Sequence, residues 1–129
     1  MAGRRGVSAE EVRAAVVAVA PWLRGEADRP GRAEVAAAVR LSLRALEQIA
    51  PGSSVEVRVP PFAAVQCVEG PRHTRGTPPN VVELDARTWL LLATGLLSWD
   101  TATAEGAVSA SGTRADVSAW LPLVRIDGS

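Results

Sequence analysis

The apolar residues of this chain change their period twice, and that change constrains the fold more than any other feature. Up to about residue 50 they recur every three or four positions, the repeat of one helical face. From Val55 they alternate with polar residues, as in a strand with one wet side. After Asp85 the helical spacing returns. A helical part over residues 1–52 and a part over residues 53–124 with both sheet and helices are therefore expected within one domain spanning 1–129. One domain is also what this chain length implies.

The local signals sharpen each element. Ser8-Ala9-Glu10-Glu11 matches a capping box, and Val12, Val16, Val19 and Leu23 follow on one face. Pro21 predicts an end or bend near Ala20. A second helix is predicted from about Arg32 to Ala50, with Val35, Val39, Leu43, Leu46 and Ala50 as its stripe and Pro51-Gly52 as its stop. Val55 to Val59 reads as a strand, Pro60-Pro61 as a break, and Phe62 to Val68 as an interior strand, because only Gln66 interrupts its apolar run. Val81 to Leu84 is a third strand. Asp85 caps a helix that Gly95 stops, and Ser98 caps a short one over Trp99 to Glu105, ended by Gly106. Ala107 to Ser111 is a fourth strand, and Arg114 to Leu121 a last helix closed by Pro122. Adjacent strands with short connections favour antiparallel pairing. The expected fold class is α+β, a mostly antiparallel sheet covered by helices mainly on one face.

Composition excludes several functions. Formal net charge is zero, so no electrostatic case exists for nucleic acid or an anionic membrane surface as partner. No run approaches the roughly eighteen apolar residues of a membrane span, and Glu10, Glu11 and Arg13 interrupt any signal-peptide core. The single cysteine, Cys67, allows no internal disulfide and fits a reducing, cytoplasmic setting.

Polar chemistry concentrates in one loop, Gly70 to Asn80, which holds the lone histidine, His73, with Arg72 and Arg75. One imidazole makes no zinc site, which wants three or four ligands. Cys67 with His73 would form a nucleophile–base pair only if the cysteine left its apolar strand. Two readings of the loop stay open: a turn bonded to its own backbone, or a grip on a polar or anionic head group. Every basic side chain is arginine save that histidine, so Arg72 and Arg75 carry no special preference for guanidinium geometry. No catalytic set, metal site or cofactor motif emerges. The four tryptophans, Trp22, Trp89, Trp99 and Trp120, lie on or beside predicted helices. They read either as core filling or, for Trp89 and Trp99 with Leu92, Leu96 and Leu97, as the lining of an apolar pocket or a dimer face.

Residues 85–123 resemble the C-terminal half of sterol carrier protein domains. In both, a helix ends in Gly (here Trp89 to Gly95), and a short helix with Ala follows (Ala102, Ala104). Then come a Gly (Gly106), a strand ending in Gly (Val108 to Gly112) and an Ala/Leu-rich final stretch (Ala115 to Leu121). Val59-Pro60-Pro61-Phe62 and the Arg72 to Asn80 segment look like the bacterial sterol carrier orthologue group of actinobacteria. The resemblance implies a sterol carrier protein-like sheet of about five strands, the fifth near Val124 to Ile126 or in the Phe62 region. It also implies an apolar tunnel for a lipid, sterol or acyl chain, and no catalytic residues. The tunnel lining is expected from Phe62, Val65, Leu84, Trp89, Leu92, Leu96 and Trp99, with Arg72, His73 and Arg75 as the polar end. Two departures stand out: the Arg/His/Thr loop is not a general family feature, and the tail is short. The function so implied is a non-enzymatic carrier of a lipid-like ligand. Its rivals are a homodimerising interaction module with a vestigial cavity, and an enzyme or an enzyme's accessory domain.

Overall fold

The computed structural model describes residues 6–70 and 79–126. Arg72, His73 and Arg75 lie outside the described residues. The order of elements is α1 (Ala9–Leu23), α2 (Arg32–Ile49), β1 (Val55–Val59), β2 (Ala63–Cys67), β3 (Asn80–Glu83), α3 (Ala86–Thr94), α4 (Trp99–Ala104) and β4 (Ser109–Ser111), followed by a single 3-10 turn, Ser118–Trp120.

The strands join in the order β2-β1-β3-β4. β1–β2 and β3–β4 are antiparallel, but β1–β3 is parallel. The sheet is therefore mixed, not mostly antiparallel, and it has four strands among the described residues. Neither expected location of a fifth is a strand: Phe62 lies in the turn before β2, and 124–126 is irregular. The physical reason lies in the connection. After β2 the chain runs over residues 68–79 before pairing again, and a dozen residues suffice for a crossover that returns β3 to the far side of β1 in parallel. The same crossover leaves β2 at the sheet edge, not in its interior. Its apolar run misled because Ala63 and Ala64 are small, and Ala64 stays exposed.

Alternation in the strands resolves into two faces. Val55, Val57, Val59, Val65, Cys67 and Val82 are buried, while Arg58, Ala64, Gln66 and Glu83 are exposed. Helices cover the buried face: α1 packs on α2, and α2 lies along β2 and α3. On the open face Arg58 reaches Glu56 at 2.8 Å. Such an exposed pair contributes little, about 0–1 kcal/mol.

Two helix expectations are corrected. α1 does not end near Ala20 but runs through Pro21 to Leu23. Proline deprives the carbonyl four residues back of its partner. Here that residue is Val17, on the exposed side of α1. The expected helix from Arg114 to Leu121 shrinks to the 3-10 turn. Side-chain oxygens capture its backbone, one from distant β3 and one local: Arg114 N–H donates to Asn80 Oδ1 at 2.9 Å, and Ser118 N–H to Asp116 Oδ1 at 2.8 Å. Side chains that offer the backbone such bonds compete with the helical ladder. The caps at Ser8, Asp85, Ser98 and Gly95 are all present as expected.

Candidate functional site

α3 organises the region where the expected apolar lining falls. Asp85 Oδ1 accepts Thr88 N–H at 2.8 Å and starts the helix. Gly95 ends it in the left-handed region at φ +82°. The chain beyond residue 120 then folds back on this helix end, where Leu123 and Val124 both donate to Ala93 O at 2.8 and 3.0 Å. Gly95 permits that approach, because a Cβ there would lie 3.2 Å from Arg125 Nη1 and 3.4 Å from the Pro122 ring.

The fold-back leaves a groove of about 350 Å³ between the end of α3, the start of α4 and the returning segment. Leu92, Leu97, Trp99 and Leu121 provide its apolar wall, and Ser98, Asp100 and Arg125 its polar rim. On the other side of the returning segment lies a second cleft of about 230 Å³, lined mainly by apolar groups of Val7, Val12, Ala45, Ile49, Leu123 and Val124. Pro122 borders both spaces. Gln48 fixes the entry to α1 by accepting Val7 N–H at 2.6 Å and donating to Val7 O at 3.1 Å.

The residues expected to line one tunnel are divided among several places. Leu92 and Trp99 meet in the groove. Leu96 is half-buried and packs against the core. Trp89 is buried in the helical layer, where its Nε1–H donates to Ser42 Oγ at 2.8 Å and the Ser42 hydroxyl donates to Ala38 O at 2.6 Å. Leu84 is buried, and its N–H donates to Arg58 O. Phe62 is buried in the β1–β2 turn with the Arg32 guanidinium 5.2 Å from its ring centre. Val65 borders a third groove, beside β2, with Arg40 and Arg44. Leu97, read with Leu92 and Trp99 as possible pocket lining, also borders the α3 groove, whereas Leu121, Pro122 and Arg125 border it without having been singled out as its walls. The turn signal at Gly95 marked where the chain reverses, but nothing local said that residues 121–125 would return to it.

The titratable groups narrow the chemistry. The Cys67 thiol is pushed up to about 11, by burial first and by the Glu47 carboxylate second. It is therefore a protonated thiol at neutral pH and a poor nucleophile. Among the described residues no three His, Cys, Asp or Glu side chains gather as metal ligands. No helix among them is long and apolar enough to cross a membrane.

The roots of the polar loop are well anchored. Asn80 is buried, and its Nδ2 donates to Ser54 O at 2.8 Å while its Oδ1 holds Arg114 N–H. Ser54 Oγ donates to Val68 O at 2.8 Å. Gly112 (φ +103°) gives Asn80 room, since a Cβ there would come within 2.4 Å of Asn80 Oδ1.

Compared with known proteins, residues 31–123 match the family model described as bacterial SCP ortholog, SCP being sterol carrier protein. No curated protein matches the chain.

Proposed function

Because the chain belongs to the bacterial sterol carrier protein ortholog family, we propose that it is a carrier-type module for a ligand with an apolar chain, held in the groove at the end of α3. The observation that carries this reading is the meeting of Leu92 and Trp99, from two different helices, on one groove of about 350 Å³. The apolar cleft behind Pro122 adds to it, because a chain too long for the groove would find further apolar surface beyond the returning segment. Each methylene so buried would add about 0.8 kcal/mol to binding. Arg125 lies at the groove and Arg72, His73 and Arg75 in the polar loop; in this reading they are the candidates for the polar end of the ligand.

No catalytic role is assigned. The rival homodimer would need a broad apolar face. Among the described residues the large apolar side chains left exposed are Val17 and Ile49, on different helices, which gives a dimer little to build on.

Native mass spectrometry of protein purified without denaturation tests the proposal, together with displacement of a fluorescent fatty acid. A co-purifying lipid that is lost in Leu97→Asp, with the melting temperature held, supports the carrier. A ligand-free dimer, or probe binding indifferent to Leu97→Asp, defeats it.

A further inference from the structure

Residues 121–126 form a strap between the two apolar spaces at the end of α3. Leu121 and Arg125 border the groove, Leu123 and Val124 border the cleft, and Pro122 borders both. The groove of about 350 Å³ stands at the low end of the roughly 300–1,000 Å³ common to small-ligand sites, and the cleft of about 230 Å³ falls below it. Neither space alone gives a long chain much room. Joined, they would pass well into that range, and the strap is what parts them.

The strap is held at few points. On its inner side Leu123 N–H and Val124 N–H share one acceptor, Ala93 O, at 2.8 and 3.0 Å. Ala93 lies in the last turn of α3, where carbonyls have no helical partner. On its outer side α1 supplies two latches: Arg13 Nη1–H donates to Arg125 O at 3.1 Å, and Arg24 Nη2–H donates to Ile126 O. Arg13 and Arg24 are both exposed and stand about three helical turns apart, so they share one face of α1. Within the strap Ile126 is buried, residues 121–124 are half-buried and Arg125 is exposed. Bonds that water can replace contribute little net, because water offers the same partners once they break. A segment with few buried contacts and such bonds belongs to the low-stability end of a fold, where local opening is frequent.

We propose that this strap is the gate of the carrier. When Arg13 and Arg24 release it, residues 121–126 swing off the end of α3, and groove and cleft open into one channel that admits the ligand's apolar chain. Closure onto Ala93 O then holds the chain beneath Pro122. The proposal rests on the carrier reading and adds to it the route of entry. Arg13 and Arg24 border neither space. Their loss therefore changes how often the strap opens and leaves the contacts to a bound chain as they are. A gate acts on entry and exit alike, whereas a lost contact acts mainly on exit.

The test compares the wild type with Arg13→Met/Arg24→Met, which removes both donors at exposed positions and keeps apolar stems in place. Stopped-flow mixing with a fluorescent long-chain fatty acid gives the entry rate, and chase with unlabelled fatty acid gives the exit rate. Amide exchange by NMR at Leu123 and Val124 reports opening directly. Opening, entry and exit are each expected to quicken roughly tenfold, the scale of two such bonds lost, with Kd essentially unchanged. On binding, the methyl signals of Leu97 in the groove and Ile49 in the cleft are expected to shift together. Faster amide exchange with unchanged entry and exit overturns the gate, and so does amide exchange that ignores the loss of both arginines. A faster exit alone with a weakened Kd, or a shift confined to Leu97, overturns it too. Each of these results leaves the carrier reading standing. Absence of probe uptake by the wild type is the distinct result that defeats that reading, and the gate falls with it.

Discussion

Trp89 and Trp99 stand one short helix apart, and by sequence both belong to the same apolar cluster, yet they occupy opposite environments. Trp89 is 1% exposed, packed among helices, with its one polar atom bonded to Ser42. Trp99 is half-buried and borders a groove that solvent can enter. The first tryptophan has every demand met from within the protein. The second keeps part of its ring available. A buried aromatic with a satisfied N–H is a structural strut, whereas a half-covered one beside open space can serve a ligand.

The contrast breaks most visibly at Trp89. Trp89→Ala should lower unfolding free energy by about 3–5 kcal/mol, the usual cost of emptying an aromatic core position. Urea titration followed by circular dichroism measures it; a loss under about 1 kcal/mol would mean that the strut carries no weight. Ser42→Ala is the finer version. It leaves the indole N–H buried without its acceptor and should cost about 1–3 kcal/mol, read from the same titration, with Trp89→Phe/Ser42→Ala recovering part of it.

Cys67 probes the same dry side through pH. Its thiol holds its proton up to about 11 when folded but titrates near 9 when free. A raised folded value means that the folded state binds the proton more tightly. The stabilisation is full below pH 9 and declines as pH climbs from 9 toward 11. Melting temperature against pH should therefore fall more steeply over that window in the wild type than in Cys67→Ala. Equal slopes would contradict the burial of the thiol.

The smallest effect on stability belongs to Trp99. Trp99→Ala should cost about 1 kcal/mol or less, as half-exposed positions usually do. In the carrier reading it also weakens displacement of a fluorescent fatty acid roughly tenfold, a figure equivalent to about 1.4 kcal/mol. If Trp99→Ala unfolds the protein as Trp89→Ala does, the two environments are not distinct. If probe affinity is untouched, the groove is not where the chain binds.

Legibility followed the range of the interactions. The capping hydroxyls and carboxylates at Ser8, Asp85 and Ser98, and the left-handed stop at Gly95, are local events that short sequence words report directly. The inward valines of β1 announced themselves by alternation. The groove was half legible. Leu92 and Trp99 lie on either side of a turn, so their proximity follows from Gly95. Leu121, Pro122 and Arg125 reach it only through the bonds of Leu123 and Val124 to Ala93 O, which no local pattern encodes. Trp89 points into the helical layer toward Ser42, a direction that period alone does not tell.

By itself the sequence determined the kinds of element, most of their boundaries and the α+β class, because hydrophobic period and capping act over one or two turns of chain. Tertiary structure decided the rest. It set β3 parallel to β1, put β2 at the edge beside Arg40 and Arg44, carried α1 through Pro21 and reduced the last helix to one turn. It also parted Trp89 from Trp99. Each of these outcomes depends on which distant groups meet and share their burial and hydrogen bonds, and such partners are chosen by the folded whole.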